Sequence, residues 1–239
     1  MTAHVPARPG LLASVATLDE MRTALAAGVD ILDLKNPSEG ALGAWAPEAL
    51  LDAVALWRVA GAPGSLSATV GDHPLEPDVL RAAAERTAAT GVPLVKIGFA
   101  LGDGAALPPV LEALRPLARE TRLIAVLFAD QAPDLAAVPL FAGAGFHGVM
   151  LDTADKAAGG LLAHLPVETL ARFVAAARAE GLLTGLAGSL KMADIAPLAA
   201  LRPHYLGFRG ALCAEGRTSA LDPARLSAVR DMLAGRILA

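Results

Sequence analysis

The chain has 239 residues, 54% of them hydrophobic, which lies well above any disordered composition and provides for a sizeable core. Its formal net charge of −4, without aromatics interleaved among lysines and arginines, argues against a nucleic-acid partner, since phosphate backbones are bound by basic surfaces. MTAHVPARPG at the N-terminus lacks a signal peptide's apolar stretch, no apolar run approaches the ~18 residues of a membrane span, and Cys213 is the lone cysteine, so a soluble cytoplasmic protein without disulfides is expected.

In chain order, short apolar runs alternate with amphipathic ones eight times. Strands are expected at 11–16, 31–35, 65–70, 94–98, 123–128, 148–153, 183–188 and 205–209. Helices are expected near 18–27, 47–60, 77–90, 106–119, 134–143, 166–180, 192–200 and 223–234. The strand runs are almost continuously apolar, as parallel strands covered on both faces are. Thr17 and Asp78 read as helix N-caps, and Pro47, Pro77, Pro166 and Pro223 fall at or near first turns. Gly28, Gly61, Gly91, Gly145 and Gly181 follow the helical runs as left-handed stops.

Eight βα units with no linker between them predict a single (β/α)8 TIM barrel over residues 1–239, in preference to a doubly wound open sheet. One GxGxxG match, Gly143 to Gly148, follows a helix and precedes a strand, the reverse of a dinucleotide site. No nucleotide cofactor is therefore expected, and the histidines show no metal-ligating spacing.

The chain has only four lysines against sixteen arginines, and each lysine falls at or just past the end of an expected strand: Lys35, Lys96, Lys156 and Lys191. Active sites of this fold are built at those ends. A guanidinium cannot replace an amine that must lose its proton to attack a carbonyl, which gives the retained lysines a chemical rationale. Asp33 and Lys35 are two apart and so share one side of the sheet, placing a carboxylate beside an amine at the mouth. Lys96 is followed by Gly98, whose missing side chain is expected to leave room for substrate. Asp152 is a candidate proton shuttle, with Lys156 reaching back from the loop; a loop cap is the plain structural reading of that aspartate. Amines gathered in one place depress each other's pKa, the requirement for a Schiff-base lysine or a lysine base.

Small-residue loops follow the last two strands, Ala187-Gly188-Ser189-Leu190 and Phe208-Arg209-Gly210-Ala211. This is the recurring phosphate position of the fold, so Gly188, Ser189 and Gly210 are candidate phosphate contacts, with Lys191 or Arg209 as countercharge. These parts alone point to a Schiff-base lyase or aldolase acting on a small phosphorylated carbonyl compound.

The segments LASVATLDEMRTALAAGVDILDLKNPSEGALGA, SATVGD, VKIG, LDTADK, LAGSLK and GFRGALC, in this order and spacing, resemble the (5-formylfuran-3-yl)methyl phosphate synthase family over about residues 11–214. The resemblance implies a TIM barrel that condenses two molecules of glyceraldehyde 3-phosphate to the furan aldehyde phosphate, releasing phosphate and water, for methanofuran-type one-carbon carriers. It implies that Lys35, in the DLKNP motif, carries the Schiff base with Asp33 beside it, and that Lys96 accepts protons. Asp152 and Lys156 would take part in proton transfer or phosphate binding.

Two segments depart from the family pattern, AVLFADQAPD around Asp130 and AEGRTSALDP after Cys213. Another class I aldolase or dehydratase, and a non-catalytic barrel that binds a phosphorylated metabolite, are the rival readings. A homo-oligomer is left open.

Overall fold

Strand alternation sorts the apolar residues into two layers. The computed structural model describes residues 7–100 and 106–236. In chain order its elements are β1 (Gly10–Val15), α1 (Leu18–Ala27), β2 (Ile31–Leu34), α2 (Pro47–Val59), β3 (Ser65–Thr69), α3 (Pro77–Ala89), β4 (Leu94–Phe99), α4 (Leu107–Ala118) and β5 (Arg122–Phe128). There follow α5 (Val138–Gly143), β6 (Gly148–Asp152), α6 (Leu161–His164), α7 (Val167–Ala179), β7 (Leu183–Leu186), α8 (Ile195–Ala200), β8 (Tyr205–Phe208) and α9 (Pro223–Leu233). All strand pairs are parallel, and β8 returns to β1, closing a TIM barrel.

Alternate strand residues such as Leu11, Ala13 and Val15 pack outward with the helices in the larger core. Their neighbours in sequence, including Leu12, Leu94, Ile124, Val126, Met150 and Tyr205, fill the barrel lumen as a separate apolar cluster. No helix among the described residues is long and apolar enough to cross a membrane.

The helix punctuation follows local chemistry. Thr17 caps α1, its Oγ1 accepting the Glu20 N–H at 3.2 Å. Asp78 does not cap α3: the cap position is Glu76, Pro77 opens the helix, and the Asp78 carboxylate instead pairs with Arg81 at 3.0 Å. The five glycine stops all have positive φ, from +69° at Gly28 to +89° at Gly145. The short α6 was not signalled by the sequence pattern, and α5 and α8 are entered through 3₁₀ turns at Leu135–Ala137 and Met192–Asp194.

Several strands end one or two residues earlier than expected. Lys35, Thr153, Gly188 and Arg209 leave the ladder and turn into the loops over the mouth. The opposite end of the lumen is closed by side chains. A Cβ on Gly185 would stand 2.2 Å from the ring of Tyr205, the residue paired with it on β8, so glycine is required for the ring to lie across β7. Gly185→Ala should therefore cost about 1–3 kcal/mol by overpacking. Urea unfolding measures it, and a loss below about 0.5 kcal/mol would contradict this account of the floor.

Candidate active site

Register builds the base of the site. Asp33 on β2 is flanked in the sheet by Ser14 on β1 and Ser67 on β3. Both hydroxyls donate to its carboxylate, Ser14 at 2.9 Å and Ser67 at 2.7 Å. The Lys96 ammonium, projecting inward from β4, adds a third bond at 3.0 Å. Asp33 is fully buried and Lys96 is 2% exposed. Burial alone would raise the Asp33 carboxyl, but the ammonium groups of Lys96 and Lys35 and the Ser67 hydroxyl hold it below its ordinary range. Burial pushes the Lys96 amine below its own ordinary range; Asp33 opposes this and Lys35 adds to it.

A second carboxylate sits at the rim. Asp152, the last residue of β6, accepts Lys156 Nζ at 2.5 Å, the Thr153 N–H at 2.8 Å and Lys35 Nζ at 3.4 Å. Burial works to raise Asp152, yet Lys35 and Lys156 carry it far below the carboxylate range. Lys156 also donates to the carbonyl and hydroxyl of Thr153, and burial lowers its pKa against the pull of Asp152. The loop that presents Lys156 is fixed by Asp130, whose two oxygens accept the N–H groups of Ala154 and Asp155 at 2.8 and 2.7 Å.

The five sequence-predicted residues Asp33, Lys35, Lys96, Asp152 and Lys156 thus form one cluster, but their pairing is crossed. Asp33 binds Lys96 and not its neighbour Lys35, which leans across the lumen to Asp152. Three ammonium groups face two carboxylates, leaving one positive charge unmatched. Lys35 is the most loosely held of the three, with a single contact at 3.4 Å to a carboxylate already claimed by Lys156. No group of three or more His, Cys, Asp or Glu among the described residues could hold a metal ion.

Above the cluster opens a cavity of about 480 Å³, lined by Lys35, Lys96, Asp152 and Lys156 together with Gly188, Ser189 and Gly210, with Gly188 packed against Asp152 and Thr153. Among the described residues, the N–H groups of Gly188, Ser189, Gly210 and Ala211 donate to no protein acceptor, so they are available to an anion. Lys191 stands exposed on the rim, its own N–H bound by Asp194 at 2.8 Å.

Two expectations are corrected. Arg209 is no phosphate countercharge, because all its donors are committed. Nε binds the Arg217 carbonyl at 2.7 Å, Nη1 the Ser14 carbonyl at 3.3 Å and Glu20 at 2.5 Å, and Nη2 Glu20 at 3.1 Å and the Ser219 carbonyl at 2.9 Å. It is a buried clamp joining α1 to the loop after β8. Gly98 does not open space for substrate either: a Cβ there would meet Leu42 at 2.6 Å and Phe128 at 3.1 Å, which occupy the room.

Sequence reasoning missed Ser14, Ser67, Asp130 and Arg217. The two serines were signalled by polar residues at inward positions of apolar strands, whereas Asp130 and Arg217 lie in loops with no periodicity to read.

The family model described as 4-HFC-P synthase matches residues 11–230. A protein of Methylorubrum extorquens, given the name (5-formylfuran-3-yl)methyl phosphate synthase as a candidate assignment, is 45% identical over 231 residues, covering 96% of this chain and 94% of that one. The (5-formylfuran-3-yl)methyl phosphate synthase of Methanococcus aeolicus is 34% identical over 220 residues, covering 86% and 91%. Among solved structures, phosphoribosyl anthranilate isomerase from Thermus thermophilus superposes with a TM-score of 0.64 at 18% identity, covering 95% of this chain and all of its own, a likeness of fold alone.

The buried Asp33–Lys96 pair yields a stability test. Asp33→Asn leaves a desolvated ammonium unpaired and should cost about 3–5 kcal/mol near neutral pH. The double variant Asp33→Asn/Lys96→Met should regain more than half of that loss. Because the Asp33 pKa is depressed in the folded state, its ionised form stabilises above the unfolded value of about 3.9, and that contribution is lost as the pH falls further. The gap between unaltered protein and Asp33→Asn should accordingly narrow in acid. Additive effects of the two substitutions in chemical denaturation would refute the pairing.

Proposed function

The chain belongs to the 4-HFC-P synthase family, and on that premise we propose that it condenses two molecules of glyceraldehyde 3-phosphate into (5-formylfuran-3-yl)methyl phosphate. Atom balance requires that one phosphate and two waters be released. The product would serve methanofuran-type cofactor biosynthesis. The observation that carries the reading is the loosely held Lys35 amine at the mouth, inside a cluster of excess positive charge and in the same cavity as free backbone N–H groups.

In this mechanism the Lys35 amine attacks a triose carbonyl carbon, and loss of water from the carbinolamine leaves an iminium. That cation acts as an electron sink for proton removal at the adjacent carbon. Lys96, whose amine is made easier to deprotonate by burial, is the proton acceptor, and Asp33 beneath it holds it in place. Asp152 and Lys156 relay protons to and from the carbonyl oxygens, since both reach the cavity and are hydrogen-bonded to one another. The aldol addition joins the two trioses; elimination of phosphate, ring closure and dehydration then give the aromatic furan. Gly188, Ser189 and Gly210 hold a phosphoryl group through their N–H groups, with Lys191 at the rim.

Glyceraldehyde 3-phosphate supplied alone should yield furan absorbance with one phosphate released per product, and the absence of both would exclude the synthase reading. Borohydride reduction during turnover should leave a stable adduct on the Lys35 peptide. Lys35→Arg should fold normally and lose turnover below detection, while Lys96→Met should lose about 10²–10⁴-fold in kcat. An active Lys35→Arg variant, or an unmodified Lys35 peptide after trapping, would remove Lys35 from the covalent role.

A further inference from the structure

With Arg209 neutralised by Glu20, the free N–H groups of the β7 and β8 loops have no countercharge from the residue the sequence suggested. A different arginine starts beside the Gly210 turn and lines the same cavity. Arg217 lies in the segment after Cys213, half-buried, and lines the same cavity as Lys35, Lys156 and Gly188. Its main chain rests against the Gly210 turn: a Cβ on Gly210 would be 3.9 Å from Arg217 Cβ and 4.0 Å from its backbone nitrogen. The Arg217 carbonyl is held by Arg209 Nε at 2.7 Å, so the buried clamp fixes where this side chain starts.

The free end of the side chain is only partly used. Arg217 Nη2 donates to the carbonyl of Gly40 at 2.9 Å, five residues beyond Lys35. Among the described residues, Nε and Nη1 have no protein acceptor, and no carboxylate lies within ion-pair distance. The charge is nevertheless felt inside the site, where it repels the Lys156 ammonium and attracts Asp152. A planar fork with unused donors, lining the same cavity as free backbone N–H groups in a site already bearing excess positive charge, is matched by a dianionic phosphoryl group.

We propose that Arg217 binds the phosphoryl group of the triose seated at the Gly188–Gly210 cradle, and that it selects phosphorylated over unphosphorylated aldehydes. This rests on the synthase reading for the identity of the triose but not for the presence of the anion site. Arg217 also spans the cavity wall: one end of its guanidinium is on the β2 loop that begins at Lys35, and the other is open to the phosphoryl oxygens.

Calorimetric titration of the full chain with glycerol 3-phosphate tests this without any carbonyl chemistry. The unaltered chain should bind it, Arg217→Ala should bind about 10–100-fold more weakly, and Arg217→Lys should fall between, keeping charge but losing the fork. In turnover with glyceraldehyde 3-phosphate, Arg217→Ala should raise KM by a similar factor, with kcat reduced by less than about threefold. If Arg217→Ala misfolds by circular dichroism, Arg217→Gln is judged by the same criterion. Binding by either variant within about twofold of the unaltered chain, or no binding by the unaltered chain in the millimolar range, would overturn the assignment. Arginine-dependent binding without furan formation would sink the synthase reading alone; furan formation with arginine-independent binding would sink the Arg217 assignment alone.

Discussion

Asp33 and Asp152 hold the ammonium groups of Lys35, Lys96 and Lys156 in the barrel lumen, where charge is costly to place. Two carboxylates cannot fully neutralise three amines, and burial resists keeping Lys96 and Lys156 charged. The rest of the site is arranged around this imbalance. Ser14 and Ser67 spend their hydroxyls on Asp33 and fix it as an anion beneath Lys96. Asp130 spends both carboxylate oxygens on backbone N–H groups so that the Lys156 loop keeps its shape. The N–H groups of Gly188, Ser189, Gly210 and Ala211 in the β7 and β8 loops, among the described residues, have no such internal partner.

Much of the architecture was legible because barrel strands carry a local signature. Their apolar runs, capped helices and glycine stops are set by interactions within a few residues. The lysine positions were legible for a related reason: an amine breaks the apolar pattern of a parallel barrel, both within a strand, as Lys96 does on β4, and in the loops past the strands, where Lys35, Lys156 and Lys191 fall. What could not be read is partnership across the lumen. Asp33 and Lys35 share a strand and a face, yet Asp33 is bound by a residue 63 positions away and Lys35 leans to one 117 positions away. Strand register and tilt decide those distances, and no window of sequence contains them.

Arg209 shows the same limit from the other side. Beside a glycine at a strand end, an arginine reads as an anion contact, but the pattern is silent on whether its donors are already taken. Here Glu20, 189 positions earlier, takes two of them. Gly98 is parallel: a missing side chain leaves room only if no neighbour fills it, and Leu42 and Phe128 do. Asp78 lost its cap role to a two-residue shift, because Pro77 occupies the first helical position and the cap falls at Glu76. In each case a local rule was sound and a neighbour distant in sequence, or a small shift of phase, decided the outcome.

The apolar floor has a further consequence. Tyr205 lies across Gly185 and touches Met150, in one apolar cluster with Leu12, Leu94 and Ile124 that fills the lumen. Burial raises the Tyr205 hydroxyl far above its ordinary range, so it stays protonated near the carboxylates. The cluster opens into the cavity at the mouth. Reactants, departing solvent and exchanging protons share that opening, and a molecule seated in it controls the traffic of everything beneath it.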